Sequence, residues 1–291
     1  MKILLTGGSG DLGVLLARDL EASGDVPVRL DIRQPINPKR GEVMLGSILD
    51  RQRLAEAMHA CDLVVHIAAW HGYHLVAGLK DVDDFWELNV NGTFNVFEEA
   101  ARQNIRKMVY ISSTSAEDRF GIYGHTKVLG EAIARTSHQR HDMDVIVLRP
   151  GAFIPYWNKG VYASFAEFAQ WYWKGAVHIS DVLQSVFKSI QKLKAGPISG
   201  MPTLYVDGKY EYTEADLQNW EQGAPGSVVK KYYQDYTDVA EKYGLDPSEK
   251  PTVFDIGPTK KLLAYEPTYS FLNLLRDLKQ FGPAGPPEPE Y

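Results

Sequence analysis

The chain of 291 residues has 44% hydrophobic and 23% charged side chains, enough apolar material for one large core or a core with a smaller lobe. Its formal charge of -6, with basic residues no denser than pairs such as Lys230-Lys231 and Lys260-Lys261, argues against a nucleic-acid or anionic-bilayer partner. One cysteine, Cys61, precludes an internal disulfide, no apolar run approaches the roughly 18 residues that cross a bilayer, and the chain opens on a strand-like MKILLTGG, so a cytoplasmic setting is expected.

Up to residue 148, short apolar runs alternate with amphipathic stretches, the pattern of strands and crossover helices in an α/β, Rossmann-type, doubly wound parallel sheet. The runs fall at 2–6, 26–31, 43–45, 63–67, 107–112 and 145–148. Between the first two, Leu12, Leu15, Leu16 and Leu20 share one helix face. Further helices are expected over 85–102 and from near Tyr123 past Ala134. After Pro150 the rhythm changes, with clustered aromatics and denser glycine and proline. The expected organisation is a dinucleotide-binding domain at 1–150, with sheet-completing parts in 175–195 and 252–258, a mostly substrate-binding lobe at 151–282 and a disordered proline-rich tail at 283–291. Residues 195–249 include a strand-like TLYVDG but suggest no role.

The first strand ends in Thr6-Gly7-Gly8-Ser9-Gly10-Asp11-Leu12-Gly13 and runs straight into the amphipathic helix. Glycines at such a turn allow positive φ and close backbone approach to a pyrophosphate, while the helix N-terminus offers the positive end of its dipole. Asp31 closes the second strand about twenty residues on, placed to accept from an adenosine ribose and to repel a 2′-phosphate. NAD is favoured over NADP, although Arg33 could partner a 2′-phosphate if Asp31 turned away.

Tyr123 and Lys127 are four apart on one helix face, directly after the 107–112 strand. Oxidising a secondary alcohol requires a base for the hydroxyl proton, and a cation beside a phenol lowers its pKa toward that task. A hydroxyl at the strand's carboxyl end should bind the reacting oxygen; Ser113 is the first candidate and Thr114 the second.

Together these pieces resemble an extended short-chain dehydrogenase/reductase of the NAD-dependent epimerase/dehydratase type. The matching segments are TGGSGDLG, GSILD at 46–50, HIAA at 66–69, NVNGTFNVFEEA at 89–100, VYISS at 109–113, YGHTK at 123–127, LRPG at 148–151, VHISDV at 177–182 and the later DIGPTKKLLAYEPTYS. The resemblance implies that Gly7, Ser9, Gly10, Asp11, Leu12 and Gly13 hold the pyrophosphate, Asp31 and Arg33 flank the ribose, and Ser47 and Ile48 border the adenine. It further implies that Ala68, Ala69 and Pro150 line the cofactor's path, that Asn89 supports the active-site loop beside it, and that Tyr123 and Lys127 reach the nicotinamide end, with Ser113, Tyr123 and Lys127 catalytic. Relatives of this kind often form dimers through two long helices, here 85–102 and the one beginning near Tyr123, so a homodimer is expected.

Three departures narrow the substrate. Ser47 replaces the acid usual at its position, only TSAEDRFGI separates Ser113 from Tyr123, and Ala152 stands where many nucleotide-sugar enzymes hold an asparagine. Thr114-Ser115 replaces the Asp-Glu pair of the dehydratases, with Glu117 and Asp118 close by. A small carbohydrate-like hydroxy or keto substrate is therefore expected, with Trp70, Tyr73, Thr114, Tyr156 and Trp157 as candidate contacts. The alternatives are a sugar-nucleotide epimerase or decarboxylase with a shortened substrate loop, and a non-catalytic NAD(P)-sensing protein. His66, His71 and His74 lack an acidic or cysteine partner in a metal-binding pattern, so no metal is expected.

Overall fold

Alternation along the first strand already defines two buried sheet faces: Ile3 and Leu5 enter one apolar core and Leu4 the other. The computed structural model describes residues 1–35, 40–119 and 121–290. In chain order, β1 (Lys2–Thr6) leads to α1 (Asp11–Ala22), β2 (Val26–Asp31), β3 (Glu42–Leu45), α2 (Arg51–Met58) and β4 (Leu63–His66). Next come α3 (Gly72–Val76), α4 (Val82–Trp86), a π turn (Glu87–Gly92), α5 (Thr93–Arg102), β5 (Lys107–Ile111), the one-turn α6 (Ser115–Asp118), α7 (Gly121–His141) and β6 (Asp144–Pro150). The remainder holds α8 (Phe165–Tyr172), α9 (Ile179–Ala195), β7 (Thr203–Val206), α10 (Glu214–Gln218), α11 (Ser227–Tyr233), α12 (Thr237–Lys242), α13 (Gly257–Leu263) and α14 (Phe271–Phe281).

The seven strands run parallel in the order β3-β2-β1-β4-β5-β6-β7. The chain first builds outward from β1 to β3, then returns to the other side of β1 at β4. The topological switch point therefore lies between β1 and β4, where the carboxyl ends of the strands leave a crevice. One core lies beneath α1, α8, α9 and α14 and joins Leu12, Leu15, Leu16 and Leu20 to Val182, Val186, Ile190, Phe271 and Leu274. The opposite core joins Leu54, Val96, Phe97 and Ala134, from α2, α5 and α7.

The six expected strands form; the completion of the sheet differs from expectation. Its seventh strand is β7, whose Leu204 pairs with Leu148 of β6. Residues 252–258 contribute no strand and pass into α13, while most of 175–195 is α9, a helix packed on the sheet. The helix expected over 85–102 is α4 and α5 joined by the π turn.

Residues 283–290, expected to be disordered, lie against the fold. Pro287 accepts a hydrogen bond from the Tyr156 hydroxyl at 2.7 Å, and the carbonyl of Glu290 accepts from Arg18 at 3.1 Å. Pro286, Pro287 and Pro289 help enclose a cavity of about 220 Å³ with Tyr156, Trp157 and Leu15. Prolines lose little backbone freedom on docking and need no strand ladder, which suits them to an aromatic groove. Tyr291 lies outside the described residues. Among the described residues no helix is long and apolar enough to cross a membrane.

Candidate active site

The turn after β1 is built so tightly that side chains are excluded. Gly7 sits at φ +70°, and a Cβ there would lie 2.9 Å from the backbone nitrogen of Ala68 on the neighbouring β4 loop. A Cβ on Gly13 would meet the Gly7 carbonyl oxygen and the Gly8 Cα, both at 2.7 Å. Gly10 caps α1 without any side-chain hydrogen bond, leaving the first-turn N–H groups of the helix to an external acceptor. Strand, turn and helix thus form a cradle that fits a diphosphate.

Asp31, 9% exposed, closes one wall of this cradle. Its Oδ2 accepts from Ser9 N at 3.0 Å and its Oδ1 from Arg33 N at 2.9 Å, with Arg33 Nε 3.8 Å away. Ser9 Oγ in turn donates to the Arg33 carbonyl at 2.8 Å. Asp31 is therefore both a potential ribose acceptor and the anchor of the loop carrying Ser9 and Arg33. Asp11 opens α1 and accepts from the Trp157 indole at 3.1 Å; burial raises its pKa, against the Trp157 bond and the Arg33 charge. Ser47 Oγ accepts from its own loop at Leu49 N, and the Ile48 carbonyl is held by Asn95 Nδ2 at 3.2 Å.

Asn89 sits in the π turn, a helical irregularity that often marks functional sites. Its Oδ1 accepts from Trp70 N at 2.8 Å, while Nδ2 donates to Trp70 O at 2.9 Å and to Thr126 Oγ1 at 3.1 Å. These bonds occupy the amide, so Asn89 positions the β4 loop, including Ala68 and Ala69, against α7 and has no spare donor for a ligand. His66 bridges two threonines, Thr6 at 2.7 Å and Thr93 at 2.9 Å. Burial pulls its pKa down to about 3, keeping it neutral in the sheet.

Ser113, Tyr123 and Lys127 come together at the carboxyl end of β5. Ser113 stands near enough to the Tyr123 phenol to oppose the rise of its pKa, and its hydroxyl accepts from Ser115 N at 3.1 Å. Lys127 Nζ donates to the Ile111 carbonyl at 2.9 Å and stands 5.8 Å from the Tyr123 ring centroid. Burial brings the lysine down to about 8, opposed by the Glu131 carboxylate. The tyrosine departs from expectation: burial raises its pKa, opposed by Ser113.

Of the remaining candidates, Thr114 keeps its backbone N–H on the Pro150 carbonyl at 3.1 Å, tying the start of α6 to the end of β6. Glu117 turns to Arg149, 3.6 Å away, and to Tyr205. Trp70 lies under Lys80 Nζ at 4.6 Å and edge-on to His74. Tyr73 donates its hydroxyl to the Gly160 carbonyl. Tyr156 and Trp157 do not present free rings for substrate stacking. Both are buried, packed edge-on to one another at 4.9 Å, with their polar atoms committed to the tail and to Asp11.

The residue reading missed Glu131 and Arg149. Glu131 is 8% exposed, takes a bidentate pair from Arg149 at 2.8 and 2.7 Å, and accepts from Ser112 at 2.6 Å. The signal was present in the spacing, since Glu131 follows Lys127 by one more helical turn. His71 was passed over once metal binding was set aside; it belongs to the same neighbourhood, where burial, His74 and Lys127 bring it down to about 4.

A model of the NAD dependent epimerase/dehydratase family matches residues 3–165. An uncharacterized protein of Sinorhizobium fredii is 27% identical over 314 residues, spanning 92% of this chain and 75% of its own length. The L-arabinose 1-dehydrogenase (NAD(P)(+)) of Haloferax volcanii is 27% identical over 180 residues, 52% of this chain and 66% of that enzyme. Among solved structures, UDP-glucuronic acid 4-epimerase from Bacillus cereus, in complex with UDP-glucuronic acid and NAD, is similar in fold at a TM-score of 0.70. That likeness covers 95% of this chain and 97% of the epimerase at 21% identity.

Proposed function

This chain belongs to the NAD dependent epimerase/dehydratase family, and from that premise we propose that it interconverts a secondary alcohol and a ketone on a small carbohydrate-like substrate. The observation that carries the reading is the meeting of Ser113, Tyr123 and Lys127 beside the switch-point crevice. NAD, when bound, supplies the hydride acceptor. Tyr123 takes the hydroxyl proton as the carbonyl forms and returns it in the reverse direction. The Ser113 hydroxyl donates to the reacting oxygen, and the Lys127 ammonium stabilises negative charge on the phenol oxygen. The glycine cradle and Asp31 hold the dinucleotide, with Asp31 favouring NAD over NADP.

The substrate class follows from what the pocket offers. Among the described residues between Ser113 and Tyr123, the wall holds the single turn of α6 and the start of α7, and Ala152 is exposed where a phosphate would need a donor. Both features favour an unmodified sugar or sugar acid over a nucleotide sugar, in keeping with the sugar dehydrogenase among the relatives. Val82, Trp86 and Phe94 are exposed on the outer side of α4 and α5, which supports a homodimer through these helices, testable by sedimentation.

The direct experiment supplies NAD with a panel of aldoses and uronates and follows formation of the reduced cofactor. On a turned-over substrate, Tyr123→Phe lowers kcat by about 10²-fold or more while NAD affinity is retained. Unchanged turnover refutes the catalytic assignment. Conversion of UDP-sugars without net reduction of added NAD favours the epimerase alternative.

A further inference from the structure

Five residues beyond the end of β6, residues 155–162 reach both the first turn of α1 and the segment that follows β4. Trp157 Nε1 donates to Asp11 Oδ1 at 3.1 Å, and three residues later the Gly160 carbonyl accepts from Tyr73, which follows β4. Asp11 and Tyr73 belong to the two walls of the switch-point crevice, because β1 and β4 are the strands between which the sheet order reverses. A segment bonded to both walls spans its mouth. It is internally braced by turns, with Asn158 N on Pro155 O and Val161 N on Asn158 O, and behind it Tyr156 donates to Pro287 of the tail.

We propose that residues 155–162 are a strap latched across the dinucleotide crevice, with Trp157–Asp11 and Tyr73–Gly160 as its two latches, and that cofactor exchange requires the strap to open. The Asp11 latch stands in the first turn of α1, where the positive end of the helix dipole works in favour of a carboxylate against its burial. The other latch is held by the loop that Asn89 fixes to α7. Asp11 and Tyr73 thereby become positioning residues for the cofactor, acting through the strap.

A gate and a contact leave different kinetic signatures. Weakening a contact speeds release alone and weakens affinity by the same factor. Weakening a latch lowers the barrier in both directions, so association and release accelerate together and Kd stays nearly constant. The inference rests on the crevice being the dinucleotide site, and the test separates the two. NADH association and its displacement by excess NAD are followed by stopped-flow fluorescence for the intact chain and for Trp157→Phe and Tyr73→Phe. Tyr73→Phe removes one donor and keeps the ring, whereas Trp157→Phe removes one donor and shrinks a buried indole to a phenyl, so Tyr73, outside the core, carries the test should Trp157→Phe fold poorly. Loss of one hydrogen bond predicts about a five-fold rise in both rate constants, with Kd within two-fold. Rates unchanged in both variants, or release accelerated alone, overturn the strap while the crevice reading stands. No NADH binding by the intact chain overturns both.

Discussion

Replacing Asp31 separates two roles that the structure combines in one carboxylate. The group accepts from Ser9 N and Arg33 N, at 3.0 and 2.9 Å, and so holds the loop, while under the proposed function its charge would face a 2′-phosphate. One unit charge about 6 Å from another interacts by roughly 3 kcal/mol at an effective dielectric of about 20, reduced by salt and solvent to roughly 2 kcal/mol. Removing the charge should raise the ratio of kcat/KM for NADP over NAD by about 30-fold. Asp31→Asn removes the charge and keeps one oxygen for Ser9 N, whereas Asp31→Ala also releases the loop at about 1 kcal/mol or more per lost bond. Both variants should therefore show the same change in ratio, with Ala poorer than Asn toward NAD in absolute terms. Adding Arg33→Ala to Asp31→Ala should cancel part of the NADP gain, since Arg33 is the cation freed from its 3.8 Å contact. Steady-state kinetics with both cofactors on one substrate is the assay. An unchanged ratio in both variants refutes charge as the discriminator, and a rise in Ala alone assigns the effect to loop movement.

Three further outcomes are expected. Gly13→Ala places a methyl group 2.7 Å from backbone atoms of Gly7 and Gly8, so NADH affinity should fall at least about tenfold by titration, the cradle having no side chain that can yield. Arg149→Met leaves Glu131 buried without its bidentate partner and should cost about 3 kcal/mol in denaturant unfolding; a loss below about 1 kcal/mol would sink this account. Stability should decline as pH falls from 6.5 toward 4, because the unfolded chain protonates histidines near 6.5 while burial lowers folded His66 to about 3 and His71 and His178 to about 4. Asp207, raised by burial to about 6, works in the opposite sense: its stabilising contribution is present at low pH and lost as pH rises through 6. Calorimetry at stepped pH reads the balance, and a melting temperature that rises on acidification contradicts it.

The parts of the fold written in local periodicity were legible. Leu12, Leu15, Leu16 and Leu20 announce α1, and the glycines before it announce the turn, because each depends on neighbours within a few residues. The strand-like TLYVDG does form β7, but its place beside β6 comes from pairing, which no local pattern states. The π turn was hidden for a similar reason, since Asn89 earns its position from Trp70 and Thr126, partners 19 and 37 residues away. The nearness of Ser113, Tyr123 and Lys127 was readable from one strand and one helix. Tyr156 and Trp157 were not, because their bonds span 131 and 146 residues and commit to the far end of the chain and its first helix. The raised tyrosine was also illegible, as four-residue spacing places Lys127 near the ring without stating how far burial disfavours a phenolate.

The core beneath α1 has a consequence for synthesis. Leu15, Leu16 and Leu20 lie in the core that α1 shares with α9, so the first half of the chain does not own all of its apolar cover. A nascent chain has translated α1 long before Ile179 begins α9, an interval of roughly ten to thirty seconds at about 5–20 residues per second. During that interval one side of the early sheet lacks its cover, and its leucines are available to a chaperone or to another unfinished chain. Pausing translation before α9 should prolong that exposure, whereas a pause after α9 has emerged should leave the early leucines already enclosed.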